Sequence, residues 1–331
     1  MKKNFAVFIL ALYVLCCMVA CQSEKEGMTE TTEYIKKEAT SPYLSITQSY
    51  YEDAEQTSMK SRCLVYDLTE KTLEEKGSVP YTSAYPLTMY SDRADKVYYT
   101  ALSEKGDQIY SYESEENSEK KTTEFCLINY MMQCGNKYFA VARLLDNFCM
   151  EPFVFGEDFT QLSRVFYDEK DDRVTWTVSA IPEKDSVIFS YYSDEAERKS
   201  DETEKEDSAG SNIAILDMQT NEIRDVYHTD RYVWGVASDG DTLYICSAPS
   251  GTSNKKKNKC YEVNLATQES KELDIPVCIT GDMALWNHVL YFLGYINDVR
   301  GVYSYNLDNG QTELIMRQSD KEFINGLSLN Y

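Results

Sequence analysis

Histidine, glycine, proline and basic charge are all scarce in this chain. Of 331 residues only 2 are His, 14 Gly and 7 Pro, and 55 acidic side chains outnumber 33 basic ones, for a formal charge of −22. Two histidines cannot supply the imidazole sets on which copper, haem or multi-His lyase sites draw, so neither a metal nor a cofactor is expected. The acidic balance argues against nucleic acid, whose binding rests on neutralising phosphates with Lys and Arg, and against docking on anionic lipid through a basic patch. The chain has no GxSxG, P-loop or DxDxDG calcium loop, and no CxxC or Cys/His metal spacing. No catalytic residue is assigned from these motifs.

Aromatic residues are abundant instead. With 27 Tyr and 12 Phe, the composition is that of a strand-rich protein whose aromatics fill pleated, half-buried surfaces. A chain of this length can be one unit if it is an all-β propeller or barrel.

The N-terminus, "MKKNFAVFILALYVLCCMVAC", has Lys2 and Lys3, an apolar run from Phe5 to about Val19, and the small Ala20 before Cys21. That is the pattern of an export signal rather than of a spanning helix. The stretch "MVAC", residues 18–21, resembles the bacterial lipobox, with Met where the family's usual Leu stands. The resemblance implies that Cys21 is lipidated and becomes the first residue of the mature protein; an ordinary secretory signal with a chance Cys is the alternative. On this reading residues 1–20 are the signal peptide, 21–41 a polar tether without a sustained apolar period, and 42–331 the folded domain. The expected location is the extracytoplasmic face of the cell membrane, with the lipid as anchor.

Beyond the leader and Cys21 lie seven cysteines, Cys63, Cys126, Cys134, Cys149, Cys246, Cys260 and Cys278. An odd number cannot pair fully within one chain, and most of the seven fall in apolar strand patterns where free Cys behaves as a small hydrophobe. Core packing is the expected role, with a Cys246 to Cys260 cross-strand disulfide as the alternative. Unpaired thiols in an exported protein suit a reducing or anaerobic habitat.

From Tyr43 onward a strand ending in Asp or Asn, a polar turn and a second strand recur. "LVYDLTEKTLEEKGSV", "AILDMQTNEIRDVY", "YEVNLATQESKEL" and "YSYNLDNGQTELIM" superpose on Asp67, Asp217, Asn264 and Asn306; the copies starting at Ile109 and Phe153 are degenerate. A further strand pair precedes each copy from the second on, so the repeat is four strands, A to D. Repeats of about 40 to 50 residues of this kind are the signature of a β-propeller. The first repeat, 43–80, lacks strand A, and "FINGLSLNY" at 323–331 matches strand A with nothing to follow it. The tail is therefore expected to complete the first blade and close a ring of six, removing an exposed sheet edge.

With this repeat and the lipobox, the chain resembles the TolB-like six-bladed β-propeller lipoproteins of Gram-positive, clostridial-type bacteria. The resemblance covers residues 43–331. It implies an all-β, cell-surface propeller and transfers no active site.

In a propeller, the D–A and B–C connections gather on one face around the channel and the A–B and C–D turns on the other. On the D–A face, Arg173 precedes Trp176 and Arg231 precedes Trp234 at matching points of adjacent blades. Two guanidinium forks and two indoles at a channel mouth point to an anionic or glycan ligand, with His228, Asp230 and Tyr232 as neighbours. Trp in strand A also suits plain blade-to-blade packing. His288, in "WNHV", reads as a turn residue, and "SDGDTLY" at Ser238 as a hairpin turn. The B–C loop of blade 4, 193–211, carries eight acids and three bases, and that of blade 5 contains "NKKKNK" at 254–259; both read as solvated loops. The first functional reading is a monomeric ligand- or protein-binding module without catalysis, its partner an extracellular ligand or surface protein. The alternatives are a carboxylate-based glycan hydrolase or lyase, and a structural part of an envelope assembly.

Overall fold

The computed structural model describes residues 41–114, 117–166, 171–202, 210–248, 258–276 and 278–331. The signal, Cys21, nearly all of the tether and most of the Lys-rich loop lie outside them.

Among the described residues, twenty-four strands form six four-stranded antiparallel sheets, the blades of a β-propeller. Blade 1 is β24 (Glu322–Asn330), β1 (Tyr43–Tyr51), β2 (Met59–Asp67) and β3 (Leu73–Pro80); blade 2 runs from β4 (Thr88–Ser91) through β5 (Lys96–Ser103) and β6 (Gly106–Ser114) to β7 (Asn117–Lys120). The inner strands of blades 3 to 6 are β8 (Phe125–Cys134), β12 (Arg173–Ile181), β16 (Tyr232–Ser238) and β20 (Cys278–Trp286), each followed in order by its B, C and D strands. The closing strand is where the repeat count places it. β24 pairs antiparallel with β1, Tyr43 opposite Asn330 and Tyr50 opposite Glu322, so the last strand of the chain is the innermost strand of its first blade.

The four superposed turn residues do one job four times. The side-chain Oδ1 of Asp67 accepts the N–H of Thr69 and Glu70, that of Asp217 the N–H of Gln219 and Thr220, that of Asn264 the N–H of Ala266 and Thr267, and that of Asn306 the N–H of Asp308 and Asn309, all between 2.7 and 3.1 Å. Each turn then closes through a left-handed residue, at Lys71, Asn221, Gln268 and Gly310. Asp and Asn recur there because their side chains bond the backbone two and three residues on. The "SDGD" and "WNHV" segments are A–B turns as expected, with Gly240 and His288 at positive φ.

Burial is lowest in the outermost strands. Inner and middle strands pack on both faces against neighbouring blades and are mostly buried, whereas β7 is exposed along its whole length. Aromatics fill the gaps between blades: Tyr138 of blade 3 stacks on Phe159 with centroids 4.6 Å apart, and Tyr98 of blade 2 meets both while donating to Asp158 at 2.6 Å. The seven described cysteines form no disulfide, and five are buried in this packing. Cys246 and Cys260 face each other directly across β17 (Thr242–Ala248) and β18 (Lys259–Asn264) but remain thiols. Burial pushes the Cys260 thiol up to about 12, which leaves little of the reactive thiolate.

The acidic loop of blade 4 departs from expectation at its start. Residues Asp194–Glu202 form a helix, with Arg198 paired to Asp194 at 3.0 Å and Lys199 to Glu195 at 2.5 Å. These i to i+4 pairs, together with acids in the first turn, offset the poor burial of so polar a segment.

Candidate functional site

Five of the six inner strands carry β-bulges. The register slips place extra residues at Cys126 and Asn129 in β8, Trp176 and Thr177 in β12, Trp234 in β16, residues 280–282 in β20 and Asn325 in β24. A bulge bends its strand and re-aims side chains, and such irregularities gather near functional sites. In this ring they bring chemically distinctive residues to the channel.

Two groups result. The first is a ring cluster at the D–A end. Trp176 meets Trp234 at a centroid distance of 6.0 Å, Tyr232 at 6.1 Å and Tyr192 at 6.5 Å, and Tyr232 lies 5.5 Å from Trp234. All four side chains are half-buried. The mutual edge and tilted contacts suit the quadrupoles of the rings and fix the cluster as a platform with exposed surface.

The second group lies deeper and spans the ring. Tyr130 of blade 3 and Asp282 of blade 6, which stands opposite it in the ring, are close enough to shift each other's ionisation. Asp282 Oδ2 also accepts the Leu327 N–H of the closing strand at 2.9 Å. Burial raises this carboxyl to about 6, against the lowering effect of the Leu327 N–H and of Tyr130. Burial likewise raises Tyr130 well above the usual phenol range, and the neighbouring Asp282 adds to the shift. Among the described residues no Lys, Arg or His pairs with Asp282. Beside it Gly281 looks onto open space, since a Cβ built there would meet nothing within 4 Å.

The two groups lie on adjoining stretches of chain. Thr177, next to Trp176 in one bulge, lies beside the Tyr130 hydroxyl. Gly235, next to Trp234, is pressed so closely on blade 6 that an added Cβ would stand 2.6 Å from Met283 Sδ and 3.1 Å from the Gly281 carbonyl oxygen.

Of the residues singled out by sequence, Trp176, Trp234 and Tyr232 come together. Arg173 and Arg231 do not join them. Arg173 is bound by Asp171, with Nε 2.8 Å from Oδ1, and lies 3.8 Å over the Phe166 ring. Arg231 Nε donates to Ser247 at 2.8 Å, and its guanidinium sits 5.0 Å over Tyr261. His228 is on outer strand β15 (Ile223–Thr229) with Asn212 as its partner at 2.9 Å. Sequence reasoning missed Tyr192, Tyr130, Thr177 and Asp282; the one signal available was a Gly-Asp pair in the middle of the strand pattern "CITGDMALW".

The A–B end of the channel is built differently. Tyr331 lies across it: its carbonyl accepts the Gly135 N–H at 2.8 Å and a Gln133 amide at 3.1 Å, and its hydroxyl donates to Asp185 at 2.9 Å. The Gln133 backbone N–H in turn donates to Asn330 Oδ1 at 2.8 Å, and its side-chain amide donates to Asp92 at 2.7 Å. Turns of blades 2, 3 and 4 are thereby tied to the closing strand. Nearer the rim of this face, the third Trp, Trp286, lines an open groove of about 270 Å³ with Asn287 and His288.

No family model matches the chain, and no curated protein does. Solved structures match in fold. TolB from Acinetobacter baumannii superposes with a TM-score of 0.55 at 13% identity over 87% of this chain and 67% of that one. A chain of a nidogen/laminin complex gives 0.53 at 12% identity, covering 87% and 98%. An oligogalacturonate lyase from Vibrio parahaemolyticus gives 0.51 at 9%, covering 84% and 74%. At such identities the likeness is one of the TolB-like six-bladed fold alone.

Proposed function

We infer that the chain is an extracytoplasmic propeller, held to the cell membrane by lipid on Cys21, that binds a ligand at the D–A mouth of its channel and is not an enzyme. The observation that carries the binding reading is the four-ring platform of Trp176, Tyr192, Tyr232 and Trp234. Bulged inner strands help hold it half-buried at the D–A end of the ring, and a Cβ built on nearby Gly281 would meet open space. Convergent aromatics with a few polar groups at the mouth of a rigid scaffold are the usual form of a small-ligand site. The leader supports the location through its basic start, its apolar run and "MVAC". The bound partner is a small molecule or a group displayed on a surface protein.

Catalysis by carboxylates draws support only from Asp282, whose raised pKa is a feature of acid-base groups. Glycosidic hydrolysis ordinarily uses two carboxyls about 5 to 9.5 Å apart, and no second carboxylate is among the groups that shift Asp282.

The test is a melting panel of saccharides, peptides, nucleotides, organic anions and organic cations, with the Trp176→Ala, Trp234→Ala double variant alongside. A ligand at about 100 times its Kd adds roughly 2.7 kcal/mol of stability. The expected outcome is a stabilising compound whose effect the folded double variant loses. Equal stabilisation of both proteins removes the platform from the site.

A further inference from the structure

We propose that this site takes a small organic ammonium ion, its nitrogen against the Asp282 carboxylate and its carbon groups on the rings of Trp176, Trp234, Tyr232 and Tyr192. The inference rests on the reading of the channel mouth as a binding site and names the ligand's chemistry.

Four observations converge on it. Asp282 is a carboxylate within the channel that no cation of the described residues neutralises, although it is bonded by Leu327 N–H and approached by Tyr130. Asp282 is half-buried; charges drawn away from water are ordinarily paired, and a ligand cation supplies what the protein withholds. Next, the inner strand has room here, since a Cβ built on Gly281, the residue before Asp282, would meet open space. The rings, too, have the right sign. The faces of Trp and Tyr are negative and attract ammonium groups more strongly once water is excluded. Lastly, the two cations that would have recruited an anion are committed elsewhere, Arg173 to Asp171 and Arg231 to Ser247. An anion at this mouth would meet the field of Asp282, a carboxylate with which no Lys, Arg or His of the described residues pairs. A neutral sugar could stack on the rings but would leave the carboxylate uncompensated. The acidity of the whole chain, −22, further concentrates cations around it.

A purely structural role is the competing account, in which Asp282 only ties blade 6 to the closing strand through Leu327. Asp282→Asn separates the two, because the amide keeps an acceptor for Leu327 and loses the charge. Isothermal titration of the purified protein with choline, with putrescine and with 3,3-dimethylbutan-1-ol, the uncharged carbon analogue of choline, gives the readout. Binding of at least one ammonium is expected. The neutral analogue should bind at least about tenfold more weakly, and Asp282→Asn should lose at least about tenfold in affinity while still unfolding cooperatively. If neither ammonium binds, or if the neutral analogue or the Asn variant matches, the inference is overturned. Should a saccharide or an organic anion instead stabilise the protein through Trp176 and Trp234, the cation inference falls while the binding site stands.

Discussion

The two ends of the channel are built by opposite means. At the A–B end the last residues of the chain are stitched into the ring: Tyr331 bonds Gln133, Gly135 and Asp185, and Asn330 bonds Gln133. At the D–A end four aromatic rings stay half-buried, and a half-buried carboxylate lacks a counter-cation among the described residues. The first end uses polar groups to hold blades together. The second leaves apolar surface and charge unsatisfied, which is costly in a protein that has nothing to bind. Stability and recognition are thus separated along one axis.

That separation can be attacked at several points. The largest effect is expected from deleting residues 322–331, which removes β24 from β1 and takes Tyr331 with it. The cost should be several kcal/mol, with aggregation through the freed edge, read by urea unfolding and light scattering. A truncated protein that melts like the full one would refute closure by β24.

Asp282→Asn should act through pH rather than uniformly. Burial holds this carboxyl near 6 in the folded protein, above its usual 3.8. The folded state therefore binds the extra proton between these values, and the wild-type contribution falls as pH rises from about 4 to 6. Above that window the ionised group costs up to roughly 3 kcal/mol. Relative to wild type, the Asn variant should gain stability between pH 4 and pH 8. A pH-independent difference would mean that the carboxylate is solvated.

A smaller loss, about 1 kcal/mol, is expected for Tyr331→Phe, which removes the hydroxyl bond to Asp185 and leaves its backbone bonds intact. The change should leave ligand binding at the other end untouched; altered binding would show that the two ends are coupled. Smallest of all, Asn306→Ala opens one exposed turn by removing the acceptor for Asp308 and Asn309. It should cost about 0.5 to 1 kcal/mol in thermal unfolding, with no effect on either end of the channel.

How much of this was legible in the sequence depends on whether the cause is local. The turn residues Asp67, Asp217, Asn264 and Asn306 could be aligned because each acts on the backbone two and three residues away. The missing strand of the first repeat and the spare strand at 323–331 could be matched because pairing needs only a complementary deficit. The site was harder. Trp176 and Trp234 occupy equivalent points of adjacent blades and do converge, but the Arg residues three positions earlier are captured by Asp171 and Ser247, near them in the fold. Tyr130 and Asp282 are 152 positions apart and meet only because the ring sets blade 3 opposite blade 6. Bulges decide which inner-strand side chains reach the channel, and alternation of apolar and polar residues does not reveal a slip of one position.

Tryptophan fluorescence tests the central claim most directly, because the three Trp residues divide between the two ends. Two proteins are compared. Trp286→Phe keeps Trp176 and Trp234 at the D–A mouth, and the Trp176→Phe, Trp234→Phe double variant keeps only Trp286 on the A–B face. Each is titrated with choline, putrescine and the saccharide and carboxylate members of the melting panel. The expected result is a saturable change in emission from the first protein with at least one compound, and none from the second. A saturable change confined to Trp286 would move the site to the groove beside His288 and contradict the account.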